Sequence, residues 1–180
     1  MADRSLLFSP APYHILSYGT LLGTQFFHTF VNAIASFKVL ARPQFAILQR
    51  AIFPAYFGIQ SAAPLLLALT YPGRIGSSGG VSGVLQPENR WGVLVPLTTA
   101  CVMGLVNLLY LLPETNKVTA RRRQQEIKDG KQSWDKAPQS EQMIALNKKF
   151  GMLHGISSLL NLVTFISTVV YGVHLSSRIV

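Results

Sequence analysis

Residues 15–37 read ILSYGTLLGTQFFHTFVNAIASF and contain no Lys, Arg, Asp or Glu. A helix of this length rises about 34 Å at ~1.5 Å per residue, enough to cross a hydrocarbon core of ~30 Å. The positions along it are ordered. His14, Tyr18, Leu21, Gln25, His28 and Asn32 follow one another by four and three, which aligns them on one helix face and makes that face polar. Gly19 and Gly23 form a GxxxG pair pointing roughly away from that stripe, a candidate surface for close helix packing. Hydrocarbon solvates neither imidazole nor amide, so in a membrane the polar stripe must face protein or water.

The same exclusion of charge recurs three more times. All 16 Lys and Arg and all 7 Asp and Glu lie outside residues 15–37, 51–71, 91–112 and 150–175. Each segment is long enough to span a bilayer. A soluble bundle would carry a charged stripe on every helix. These segments carry at most Gln, Asn, His, Ser and Thr, so the predicted fold is all-α: a polytopic membrane protein with four transmembrane helices in a single domain. The formal net charge of +9 does not point to nucleic acid, because the basic residues follow the ends of the apolar segments. Cys101 is the single cysteine and sits inside the third segment, which leaves no disulfide framework and no cysteine zinc cluster. The apolar run in MADRSLLFSPAP is short for a signal peptide and broken by prolines, so the first span is expected to act as its own insertion signal. No Asn-x-Ser/Thr acceptor occurs.

The connections set the topology. KVLARPQFAILQR at 38–50 predicts a short interfacial helix with Pro43 in its first turn. In the second span Pro54 reads as a first-turn residue and Pro64 as a kink. GRIGSSGGVSG at 73–83 predicts a flexible loop; it lacks the Lys-Ser/Thr of a phosphate loop. Trp91 anchors the third span at an interface. After Pro113 a polar helix is expected, then a turn at Gly130 and Pro138, and SEQMIALNKKF runs helically into the last span. That makes a basic helical hairpin between spans three and four. Four spans place 12 basic residues on the hairpin side and leave Arg4, Arg74, Arg90 and Arg178 on the other. The excess of positive charge predicts a cytoplasmic hairpin and two non-cytoplasmic termini.

The fourth span repeats the pattern of the first, with His154, Ser157, Ser158, Asn161, Thr164 and Thr168 toward one face. Together with Asn107 of the third span they predict a polar seam built from Gln25, His28, Asn32, Asn107, His154, Ser157 and Asn161. Such residues either hold membrane helices together, at ~0.6 kcal/mol per hydrogen bond on average, or line a path for a solute or proton. Met103, Cys101 and Met152 supply soft sulfur, but no two His stand at i, i+3 or i+4, so neither a metal nor another cofactor is expected. No acid lies in a span, and Ser157 and Ser158 are expected to bond their own i−4 carbonyls, so no enzyme is expected either. Arg121, Arg122 and Arg123 form a candidate site for anionic lipid headgroups, at ~1 kcal/mol per basic residue, or for a protein partner.

Several stretches together resemble the transmembrane protein 205-like family. They are YGTLLGTQFFHTFVN in the first span, RPQFAILQRAIFPAYF across the first connection, NLLYLLPETNKV with RRRQQE after the third span, and FGMLHGISSLLNLV in the fourth. The resemblance runs from Tyr18 to Val163 and implies a four-span integral membrane protein, with no settled reaction, substrate or cofactor. Two functions are therefore expected. One is a small transporter or channel-like component using the polar seam, with a homo-oligomer supplying a wider pore. The other is a non-transporting scaffold or adaptor whose basic hairpin binds headgroups or a partner.

Overall fold

In a computed structural model, residues 7–73, 79–136 and 138–177 are described. Arg4, Arg74 and Arg178, three of the four basic residues assigned to the side opposite the hairpin, lie outside them, as does much of the Gly/Ser loop. Every regular element among the described residues is helical. Prolines open the first helix, where a missing N–H is harmless: α1 is Pro10–Phe26, followed without a break by a π-helical stretch, Phe27–Asn32, and by α2, Ala33–Val39. Leu40 and Ala41, extended at ψ 142 and 147, turn the chain. α3, Arg42–Leu69, then runs for 28 residues.

The stretch 38–50, expected as a separate interfacial helix, instead holds the end of α2, the turn at Leu40 and Ala41, and the start of α3. Pro43 sits in its first turn as expected, but Pro54 is inside the helix, not at its start. The reason is that nothing in FAILQR stops a helix, and bilayer helices tolerate interior proline when neighbours re-satisfy the freed carbonyls.

The loop after α3 is partly built. The Gly80 N–H donates to the Tyr71 carbonyl at 2.8 Å with Gly80 at φ 62, a left-handed conformation suited to glycine. A short α4, Gly80–Val84, follows, and the buried Asn89 amide donates to the Gly83 carbonyl at 2.7 Å.

The third long helix is continuous over Pro87–Asp129. Within it lie α5, Val95–Val106, and α6, Leu112–Asp129, each preceded by a π-helical stretch, Arg90–Leu94 and Asn107–Leu111. Both stretches run up to a proline in the first turn of the next segment, Pro96 and Pro113. A proline removes one i→i−4 donor, and widening to i→i−5 pairing lets the chain stay helical across the gap.

α6 stops at Gly130, which is left-handed at φ 62. α7, Glu141–Ser176, is capped by Ser140, whose hydroxyl accepts from the Met143 N–H at 3.2 Å.

Among the described residues, three helices are long and apolar enough to cross a membrane: Arg42–Leu69, Pro87–Asp129 and Glu141–Ser176. Residues 10–39 are helical throughout, but their first α segment has 17 residues before the π stretch begins. The protein is an all-helical, multi-pass membrane protein with three candidate membrane-spanning helices. Leu65, Leu66, Leu69, Leu109, Leu159 and Val173 all face outward, as a bilayer requires.

Helix one and α3 are antiparallel. His14 meets Thr70, Leu21 shares a core with Ala63 and Leu67, His28 meets Phe53 and Tyr56, and Phe37 meets Phe45. The larger core adds Tyr71, Val84, Val93, Leu97, Tyr171 and Leu175 at the end remote from the α6–α7 turn. A smaller one, Leu111, Val118 and Leu153 with Leu146 and Phe150 against it, joins α6 to α7.

Candidate functional site

The buried polar residues fall into separate clusters. In the first, Asn107 is fully buried at the start of a π stretch. Its Oδ1 accepts from Ser157 Oγ at 2.7 Å and its Nδ2 donates to Asn161 Oδ1 at 3.3 Å. This ties the third long helix to α7. One turn earlier Gly104 lies against the backbone of Gln60 and Ser61, where a Cβ would come within 3.0 Å of the Gln60 carbonyl carbon and the Ser61 nitrogen. Cys101 Sγ donates to the Ser61 carbonyl at 3.5 Å in the same crossing.

The second cluster lies between helix one and α3. His28 Nδ1 accepts from Asn32 Nδ2 at 3.1 Å, which makes the imidazole a neutral Nε2–H tautomer. Ser36 Oγ donates to Asn32 Oδ1 at 3.2 Å, so the three side chains climb the helix in steps of four. The His28 ring packs 4.4 Å from that of Tyr56 and 5.3 Å from that of Phe53. Gln25 and Gln60 are both at 0% exposure, and neither amide has a hydrogen-bond partner among the described residues. The Tyr56 hydroxyl faces Thr29 and Gln60, without a bond of good geometry to the Gln60 amide. Gln49 is buried and unpaired in the same way.

A third cluster sits at the far end of the bundle. Thr70 Oγ1 donates its one proton to the Leu66 carbonyl at 2.6 Å, so toward His14 Nδ1, 3.0 Å away, it acts as acceptor. His14 Nδ1 therefore carries the hydrogen, and Nε2 accepts from the Tyr171 hydroxyl at 2.6 Å. Tyr18 and Tyr71 close around the pair edge-on. One imidazole thus joins helix one, α3 and α7. Between this cluster and the Gln25–Gln60 layer stands the apolar group Leu21, Ala63 and Leu67.

The structure brings Asn107, Ser157 and Asn161 together, and His28 with Asn32, but not as one seam. His154 differs most from the expectation. It is exposed, stacked on Phe150 of its own helix at 5.9 Å, because the inward line of α7 passes through Leu153, Thr164, Thr168, Tyr171 and Leu175. Gly19 and Gly23 also differ: both are exposed, with nothing within 4 Å of where a Cβ would stand among the described residues. Gln49, Tyr56 and Gln60 form a further buried polar stripe on α3, outside the expected seam, and its steps of seven and four keep it within about 20° of one line at ~100° per residue.

The arginine run also divides. Arg122 is half-buried; its Nε donates to Asn147 Oδ1 at 2.9 Å and its guanidinium lies 4.4 Å over the Phe150 ring. Asn147 in turn donates to the Ser133 carbonyl at 2.9 Å. Asp129 accepts from Gln125 at 2.8 Å and from Ser140 at 2.6 Å, closing the turn. Arg121 and Arg123 stay exposed. Arg121, Gln124, Gln125, Lys128, Gln142, Ala145 and Leu146 line an open groove of about 470 Å³ between α6 and α7.

A family profile described as "Domain of unknown function (DUF4149)" matches residues 16–124, which include both halves of the His28 cluster and the Asn107 turn. The chain belongs to the DUF4149 family. It is 33% identical over 168 residues to the protein named Xanthocillin biosynthesis cluster protein D of Aspergillus fumigatus, covering 93% of this chain and 90% of that protein. That alignment extends the likeness of this DUF4149 protein beyond the profile match into most of the remaining chain. No solved structure gives a significant match. Among the described residues no group of three or more His, Cys, Asp or Glu side chains is placed to hold a metal ion.

Proposed function

We propose that this DUF4149 protein is a four-span membrane scaffold, not an enzyme, whose basic α6–α7 hairpin engages anionic lipid headgroups on the cytoplasmic side. In this reading residues 10–39 are the fourth span and both termini are non-cytoplasmic, which agrees with the resemblance to transmembrane protein 205-like proteins and with the placement of basic residues. The observation that carries the proposal is the division of labour within the arginine run. Arg122 staples the hairpin through Asn147 and Phe150, and the staple leaves Arg121 and Arg123 free on a stiff support. Lys148 and Lys149 adjoin Phe150, where the last apolar segment begins, so they enter the headgroup layer itself. Arg121 stands about 14 Å along the helix beyond Leu112 at ~1.5 Å per residue, within two screening lengths of ~8–10 Å at physiological salt, where its attraction is weakened but present. The A. fumigatus relative is named for a biosynthesis cluster.

The test is lipid selectivity after reconstitution, read with spin-labelled phosphatidylserine and phosphatidylcholine. The wild-type protein should select the anionic lipid, and Arg121→Gln with Arg123→Gln should lower that selectivity by up to roughly thirtyfold, two charges at ~1 kcal/mol each. Equal uptake of both lipids by the wild-type protein would reject the proposal. Transport is the second reading. The unpaired Gln25 and Gln60 amides favour it, and the Leu21–Ala63–Leu67 group beside them opposes it. Proteoliposome flux across a panel of ions and small solutes, with His28→Ala as control, decides that question.

A further inference from the structure

We propose that Gln25 and Gln60 hold ordered water in a built site inside the bundle, between helix one and α3. The two residues occupy one layer. On one side His28 meets Tyr56; on the other Leu21 meets Ala63 and Leu67. Gln25 is three residues before His28 and Gln60 four after Tyr56, so in an antiparallel pair they fall at the same level, between contacts that fix the register. Both side chains are at 0% exposure with both amide atoms unpaired.

One further group points to the same place: the Tyr56 hydroxyl faces Gln60. Two amides and a hydroxyl supply the two to four polar partners a buried water needs. The set is uncharged and offers donors and acceptors in similar number. That suits a small neutral molecule able to do both, and it suits a cation poorly, because no carboxylate is among the three groups.

The site is independent of the lipid-binding reading, since it lies in another part of the molecule and neither needs the other. The experiment is water-edited solid-state NMR on uniformly ¹⁵N-labelled protein reconstituted in liposomes. Magnetisation should pass from water to the Gln25 and Gln60 side-chain amides about as fast as to the exposed Gln124 and Gln142. Transfer as slow as that to the buried backbone amides of Leu67 and Val93 would overturn the proposal. So would a direct Gln25–Gln60 amide contact without water transfer. Gln60→Met should slow the transfer to Gln25 severalfold; if that variant does not fold, the wild-type comparison alone decides.

Discussion

Gly104 and Gly23 are both glycines in long apolar helices, and their neighbourhoods are opposite. A Cβ on Gly104 meets peptide backbone at Gln60 and Ser61, which cannot swing aside as a side chain would. Gly104→Ala should therefore force the third long helix away from α3 and cost about 1–3 kcal/mol. Gly23→Ala meets nothing within 4 Å and should stay within about 0.5 kcal/mol of wild type. Thermal unfolding of both variants in the same detergent checks the contrast. Asn107 carries two interhelical bonds, and replacing it with Leu strands Ser157 and Asn161 as well. Membrane hydrogen bonds average ~0.6 kcal/mol, and unsatisfied buried partners add to that. Asn107→Leu should then lose roughly 1–3 kcal/mol, whereas His154→Leu, on the outer surface, should be near neutral.

At the scale of the element, the hairpin is held by a side chain that resembles a ligand-binding residue in sequence. Arg122 combines a hydrogen bond to Asn147 with a cation–π contact to Phe150. Arg122→Ala should loosen the packing of α6 on α7, by about 1–3 kcal/mol on the scales for charged hydrogen bonds and cation–π pairs. Hydrogen exchange should quicken in residues 112–150, while Arg121→Ala and Arg123→Ala leave it unchanged. The stop at Gly130, the start at Ser140 and the run of α7 into the last apolar segment were all readable, because capping chemistry is local. The partners of Arg122 were not, since Arg121, Arg122 and Arg123 differ only in which way a helix turns them. Faces within the bilayer were harder still. Lipid is as apolar as a protein core, so glycine spacing alone does not say whether Gly19 and Gly23 look inward. The π stretches at Phe27–Asn32 and Asn107–Leu111 also shift the phase on which a regular 3.6-residue count depends.

At the scale of the molecule, helix one pairs with α3 from His14–Thr70 down to Phe37–Phe45. That contact follows α3 from its second turn to its C-terminal end. His14 adds a pin to α7 through Tyr171; Tyr171→Phe removes the donor and should lower thermal stability by about 1 kcal/mol. The apolar group Leu21, Ala63 and Leu67 separates the polar cluster around His14 from the one around His28.

Whether helix one crosses the bilayer is best tested by glycosylation mapping. The chain has no Asn-x-Ser/Thr acceptor of its own, so added acceptors report without background. With acceptor tags on both ends and, separately, in the turn at Ser133, insertion into microsomes should glycosylate both ends and leave the turn unmodified. Glycosylation at one end alone would mean three spans and would contradict the four-helix reading of residues 15–37.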